Sequence, residues 1–140
     1  MPQWPWRNPR PGVDDYGRSP LFHHAAAGDI DAVRADLAAG LDPTAADKDG
    51  YSSLHIAVQN DHLEMIRFLL ERGADPNCTD RHGNNPLWTA CYYGSRNIAI
   101  VSLLLRAGAN PDQVNKAGRS PQCWRERDPV VDQAFRDEGL

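Results

Sequence analysis

Apolar residues along this chain fall into short runs at helical spacing, separated by polar turns, and the runs repeat. Leu54, Ala57 and Val58 share one stripe of a helix that begins at Ser53, and Leu63, Ile66, Phe68, Leu69 and Leu70 mark a second helix over 62–71. Ser52 is placed to cap the first helix, and Gly73 to end the second in a left-handed C-cap. Gly50 sits in the turn before them, where a positive φ is expected.

The same order returns one period later. Residues 47–57, DKDGYSSLHIA, recur as residues 80–90, DRHGNNPLWTA, with Gly50 and Gly83, Leu54 and Leu87, and Ala57 and Ala90 each 33 apart. Residues 69–77, LLERGADPN, recur as residues 104–112, LLRAGANPD. A unit of this size has a single apolar face and cannot bury it alone, so a 33-residue period predicts stacked units that share one core.

These segments resemble the ankyrin family, whose repeat carries a T-P-L-H-x-A signature and builds a turn followed by two antiparallel helices. The resemblance covers most of residues 16–140 and implies an all-α ankyrin-repeat solenoid of about four helix-turn-helix units, at about 16–46, 47–79, 80–114 and 115–140. The middle units are specific matches; the outer two are degenerate, as end caps would be. His55 stands in the signature slot where the family uses histidine to brace the turn, and Trp88 replaces it in the third unit, where local packing is expected.

Three places depart from the pattern. Ala57 to Gly73 is 16 residues but Ala90 to Gly108 is 18, so the third unit carries two extra residues, assigned to Gly94, Ser95, Arg96 and Asn97 between its helices. In the first unit, aligning Gly17 with the later turns leaves His24 at the small-alanine position. Aligning residues 22–25, FHHA, with residues 54–57, LHIA, needs a deletion but puts Ala25 there and His23 in the signature slot; this second register is preferred. The first unit's second helix, 30–39, then turns Ile30, Val33 and Leu37 inward and Asp31, Arg34 and Asp36 outward, as a cap requires. The last unit has Gln122, Cys123 and Trp124 where apolar residues and histidine belong, while Val130, Val131, Ala134 and Phe135 keep an apolar stripe, so a shortened cap closes the core.

Residues 1–15 form a leader in which Pro2, Pro5, Pro9 and Pro11 are interspersed with Trp4 and Trp6; it is expected to be extended, with the tryptophans folded over the first unit or, as the alternative, forming an arm that reaches a partner. No apolar run in the chain approaches a membrane span or the core of a signal peptide. The net charge of −4 disfavours nucleic acid and favours a basic partner surface. Three cysteines, Cys78, Cys91 and Cys123, are odd in number and contain no C-x-x-C pair, which points to reduced thiols and a cytoplasmic location. No zinc-ligand spacing, phosphate-binding glycine loop or nucleophile motif occurs, so no cofactor, metal or catalytic residue is expected, and Cys91 reads as buried packing.

The resemblance implies a protein partner held on the concave face, by the turn tips and the ends of the first helices. Carried over by position, the tips give Lys48, Asp49, Tyr51, Arg81, His82, Asn84, Lys116 and Arg119, and the helix ends give Gln59, Asn60, Tyr92 and Tyr93. Tyr92 and Tyr93 stand out because two adjacent tyrosines at the end of a short helix cannot both point inward. The chain is therefore expected to act as a stand-alone, monomeric adaptor or inhibitor. Neutralisation of a toxin or effector, as an immunity protein, is one role the resemblance implies, and an assembly scaffold is the alternative.

Overall fold

A computed structural model of the chain describes residues 13–93 and 98–140. The leader up to Gly12 and the assigned insertion at 94–97 lie outside them. The described residues form helices α1 (Pro20–Ala27), α2 (Ile30–Ala38), α3 (Ser53–Gln59), α4 (Leu63–Glu71), α5 (Pro86–Tyr92), α6 (Ile98–Arg106) and α7 (Pro129–Asp137), with a 3₁₀ turn at Pro121–Trp124. They contain no strand, only an isolated bridge between Ala46 and Ser52. In one row α1 packs on α3, α3 on α5, and α5 on the 3₁₀ turn; α2, α4, α6 and α7 back them, with α4 on α6 and α6 on α7.

The period is visible in what is buried. Leu21, Leu54 and Leu87 occupy one recurring position and are at most 1% exposed; Val33, Ile66 and Val101 form a second such series at 0%. Burying each of these side chains contributes about 1.5–3 kcal/mol. Helix ends follow local chemistry. The Ser52 hydroxyl accepts from the backbone N–H of His55, and the His55 ring accepts from the Ser52 N–H, which completes a capping box; Asn85 caps α5 by accepting from Trp88 N–H at 2.9 Å. His62, expected as the first residue of α4, is its N-cap.

The turn before the first helix of each pair is built the same way four times. Asp14 accepts backbone N–H bonds from Tyr16 and Arg18, Asp47 from Asp49 and Tyr51, Asp80 from His82 and Asn84, and Asn115 from Ala117 and Arg119, all at 2.8–3.0 Å. Successive turns are tied in a row: the N–H of Lys48 donates to the Tyr16 carbonyl, that of Arg81 to Asp49, and that of Lys116 to His82, at 2.7–2.9 Å. A glycine follows in each turn, and at Gly50 a Cβ would meet the Thr79 carbonyl oxygen and Asp80 Cα at 3.0 Å. Gly118 has a similar φ, +75° against +73°, with nothing within 4 Å. Gly118→Ala is therefore expected to cost about 1 kcal/mol, the backbone strain alone, and Gly50→Ala about 2 kcal/mol or more. Urea denaturation of the two variants checks this, and equal losses would mean that the close approach at Gly50 is readily relaxed.

The first unit corrects the preferred register. The turn at Gly17 matches Gly50 without a deletion, so Leu21 is the counterpart of Leu54, Phe22 stands in the His55 slot, and His24 takes the place of Ala57. Ala25 is buried, but as the counterpart of Val58. His23 stands one place beyond the His55 slot, with its ring half exposed, and meets the first turn through Asp14 Oδ2 at 2.8 Å instead of bracing a junction between units. His24 is tolerated at the small position because, among the described residues, no unit stacks against its outer side. The residue at the place of buried Leu69 is Asp36, and its Oδ2 is 2.6 Å from His24 Nδ1, so two core positions are exchanged together for a polar pair that faces water. At the other end Val131, Ala134 and Phe135 of α7 are buried as expected, while Val130 is 37% exposed.

Candidate functional site

The inner row of helices ends beside the row of turns, and between the third and fourth turns this leaves a groove with a cavity of about 610 Å³. Its wall comes from α5 and its C-cap. Trp88, Thr89, Tyr92 and Tyr93 are three or four residues apart, so they share one face, and Tyr51 of the preceding turn joins them. The rings meet edge to face: Tyr92 with Tyr93 at 5.1 Å, Tyr92 with Trp124 at 6.0 Å, and Trp88 with Trp124 at 5.7 Å. Tyr92 and Tyr93 nonetheless remain 58% and 53% exposed. Asp80, His82, Asn84, Asn115, Lys116 and Ala117 complete the groove from the turns.

Of the residues expected to meet a partner, Tyr51, His82, Asn84, Tyr92, Tyr93 and Lys116 line this cavity, and Asp49 and Arg81 line a smaller neighbouring one of about 190 Å³. The Arg81 guanidinium is 3.4 Å from Asp49 Oδ1. Arg119 belongs to the same turn as Lys116, and Lys48 is exposed at the second tip. Gln59 and Asn60 have local tasks. Gln59 Oε1 accepts from the Tyr51 hydroxyl at 2.6 Å, and the Asn60 amide donates to the Ala26 carbonyl at 2.9 Å, tying the second unit to the first. Burial, with smaller contributions from Tyr93 and Asp80, raises the Tyr51 pKa, so this phenol stays neutral.

Sequence reasoning missed Trp88, Thr89, Asp80 and Asn115 as lining residues. Trp88 does pack locally, on Trp124, but its ring also faces the groove. The usable signal was helical spacing, because Trp88 and Thr89 lie one turn before Tyr92 and Tyr93.

The one constellation that resembles a catalytic set lies elsewhere. Ser52 Oγ is 2.8 Å from His55 Nδ1, and Cys78 Sγ is 3.8 Å from the same nitrogen. Because Ser52 N–H donates to Nδ1, the proton sits on Nε2, which donates to the Asn84 carbonyl at 3.0 Å. Burial lowers the His55 pKa and raises that of Cys78, the reverse of what an activated thiol needs. Nε2 braces the junction between the second and third units, while Nδ1 holds the cap of the second unit's own first helix. Cys91 is buried and its thiol is pushed up to about 12, so it stays protonated at neutral pH. The three cysteines are unpaired, and among the described residues no three His, Cys, Asp or Glu side chains converge as a metal site requires.

A family model described as ankyrin repeats (many copies) matches residues 37–87, and one described as ankyrin repeat matches residues 82–116. The transient receptor potential cation channel subfamily A member 1 of Homo sapiens is 34% identical over 110 residues, 78% of this chain and 10% of that protein. The E3 ubiquitin-protein ligase XB3 of Oryza sativa subsp. japonica is 42% identical over 94 residues, 64% of this chain and 20% of the ligase. An ankyrin repeat-containing protein of Schizosaccharomyces pombe is 41% identical over 64 residues, 46% of this chain and 31% of the relative. The chain thus spans at most about a third of the length of these relatives. With the same turn and helix pair recurring along the stack, and two family models matching across its middle, the chain belongs to the ankyrin-repeat family.

Proposed function

We propose that this chain binds another protein stoichiometrically through the groove at Tyr51, Trp88, Tyr92 and Tyr93. Ankyrin repeats are in general protein–protein interaction modules without catalysis of their own. The observation that carries the site is the pair Tyr92 and Tyr93, more than half exposed although both pack against another ring. Large rigid side chains held in this way supply contact area with little loss of rotamer freedom on binding. The relatives add support, since the part they share with this chain is a fraction of a cation channel in one and of a ubiquitin ligase in another, which fits a binding module better than a common reaction.

The test is affinity capture from cell lysate with the wild type and with Tyr92→Ala/Tyr93→Ala, its fold checked by circular dichroism. One stoichiometric protein captured by the wild type and reduced at least tenfold with the variant is expected; equal capture would move the binding site away from this groove. The captured protein also decides the finer role. Loss of that protein's activity in the complex would make the chain an inhibitor, as toxin neutralisation requires. Three unpaired cysteines suit a reducing cytoplasm for this encounter.

A further inference from the structure

We propose that the groove accepts an acidic segment of the partner, carrying an apolar or aromatic anchor that enters among the tyrosines; this rests on the groove being the binding site. The argument comes from the recurring turn. Asp14, Asp47 and Asp80 organise the first three turns with a carboxylate, whereas Asn115 does the same work in the fourth with a neutral amide. From Gln113 through Arg125 the chain therefore holds Lys116, Arg119 and Arg125 and no carboxylate.

Arg125 is engaged by Asp132 at 2.8 Å, a carboxylate that Arg136 also reaches at 2.7 Å, which leaves Lys116 and Arg119 without such a partner. In earlier turns a basic residue meets a carboxylate across the junction: Arg18 reaches Asp47, and Arg81 reaches Asp49, each at 3.4 Å. Arg119 occupies the place of Arg18, but no fifth turn among the described residues supplies the next carboxylate. Neither Lys116 nor Arg119 has an ion-pair partner among the described residues, and both are exposed.

The groove is thus aromatic along the wall formed by α5 and cationic at the fourth turn, where Lys116 lines it and Arg119 lies in the same turn. The net charge of −4 argues for a basic partner of the chain as a whole, but the sign at this edge is reversed. Asp80 also lines the groove and brings a negative charge, but it makes no ion pair with Lys116 or Arg119. A partner presenting Asp or Glu to Lys116 and Arg119, beside one Leu, Phe or Trp for the rings, satisfies both halves. Residues 1–12 of this chain carry Arg7 and Arg10 and no carboxylate, so their charge has the wrong sign for this rim.

The test uses the full chain as bait for a random dodecapeptide library displayed on phage. Enriched peptides are expected to place Asp or Glu within three residues of a Leu, Phe or Trp. A synthetic copy of the most enriched peptide is expected to bind Lys116→Glu/Arg119→Glu about tenfold more weakly, with affinity regained when its acids are exchanged for lysine. Lys116→Ala/Arg119→Ala gives a smaller loss in the same direction and guards against a folding artefact. No enrichment, enrichment of basic peptides, or indifference to charge reversal would overturn the proposal. Uncharged peptides that still need Tyr92 and Tyr93 would overturn this inference alone, whereas acidic peptides that bind Tyr92→Ala/Tyr93→Ala undiminished would overturn the groove as well.

Discussion

Phe135→Ala is expected to lower the stability of the chain by about 3–5 kcal/mol, read as a fall in the midpoint of urea denaturation. Phe135 is completely buried on α7, where it takes the place that Leu104 holds on α6, and Arg125 stacks over its ring at 5.2 Å. Removing the ring opens a cavity in the packing of α7 on α6, the last helix pair contact among the described residues. Because each helix pair contacts only its neighbours, the damage should stay local. Hydrogen exchange is expected to quicken first in α7 and then in α6, with α1 to α4 keeping wild-type protection. A uniform rise in exchange along the chain would show that the stack unfolds as one cooperative block.

The second large effect concerns His55 and depends on pH. His55→Gln turns residues 52–55 into an S-x-x-Q capping box, so the cap of α3 survives, but the shorter amide does not carry the bond to the Asn84 carbonyl. Leaving that buried junction unpaired is expected to cost about 1–3 kcal/mol at pH 7.5. Burial holds the pKa of His55 below its ordinary 6.5, so the unfolded chain takes up the proton first as pH falls. The contribution of the neutral ring is therefore complete above pH 6.5 and declines below it, towards the lower pKa of the folded state. Ordinary carboxylates titrate near pH 4, outside this window. Stability measured from pH 7.5 to 5.5 should fall in the wild type and fall less in His55→Gln; parallel curves would remove His55 as the source.

Much of this architecture can be read from the 33-residue register alone. A leucine and an alanine at fixed places in the second unit identify the helix pair, because each is selected by a contact that the third unit repeats at Leu87 and Ala90, while the histidine contact is made at His55 and gives way to Trp88 one period later. The first unit resisted the same reading for a physical reason. Among the described residues no unit stacks on its outer side, so the constraint that keeps Ala57 small and Leu69 apolar lapses, and His24 with Asp36 appears there as a coupled pair that sequence spacing alone does not reveal. The groove was half legible. Adjacent exposed tyrosines can be inferred from a short helix, but the part played by Trp88 depends on Trp124, which lies 36 residues away in a turn that no longer follows the repeat.

The hydrogen bonds that link successive turns also bear on the mechanics of the molecule. Along that edge, neighbouring units are joined by directional bonds of 2.7–2.9 Å, and behind it the bonds of Asn60 and His62 to the Ala26 carbonyl and of Asn77 to the Gly108 carbonyl, at 2.9–3.0 Å, add to the apolar packing. Polar ties on both sides of the helix rows hold successive units at a fixed spacing. A partner lying along the turns meets a ruler of constant pitch, so elastic fluctuation of the array takes little from its grip.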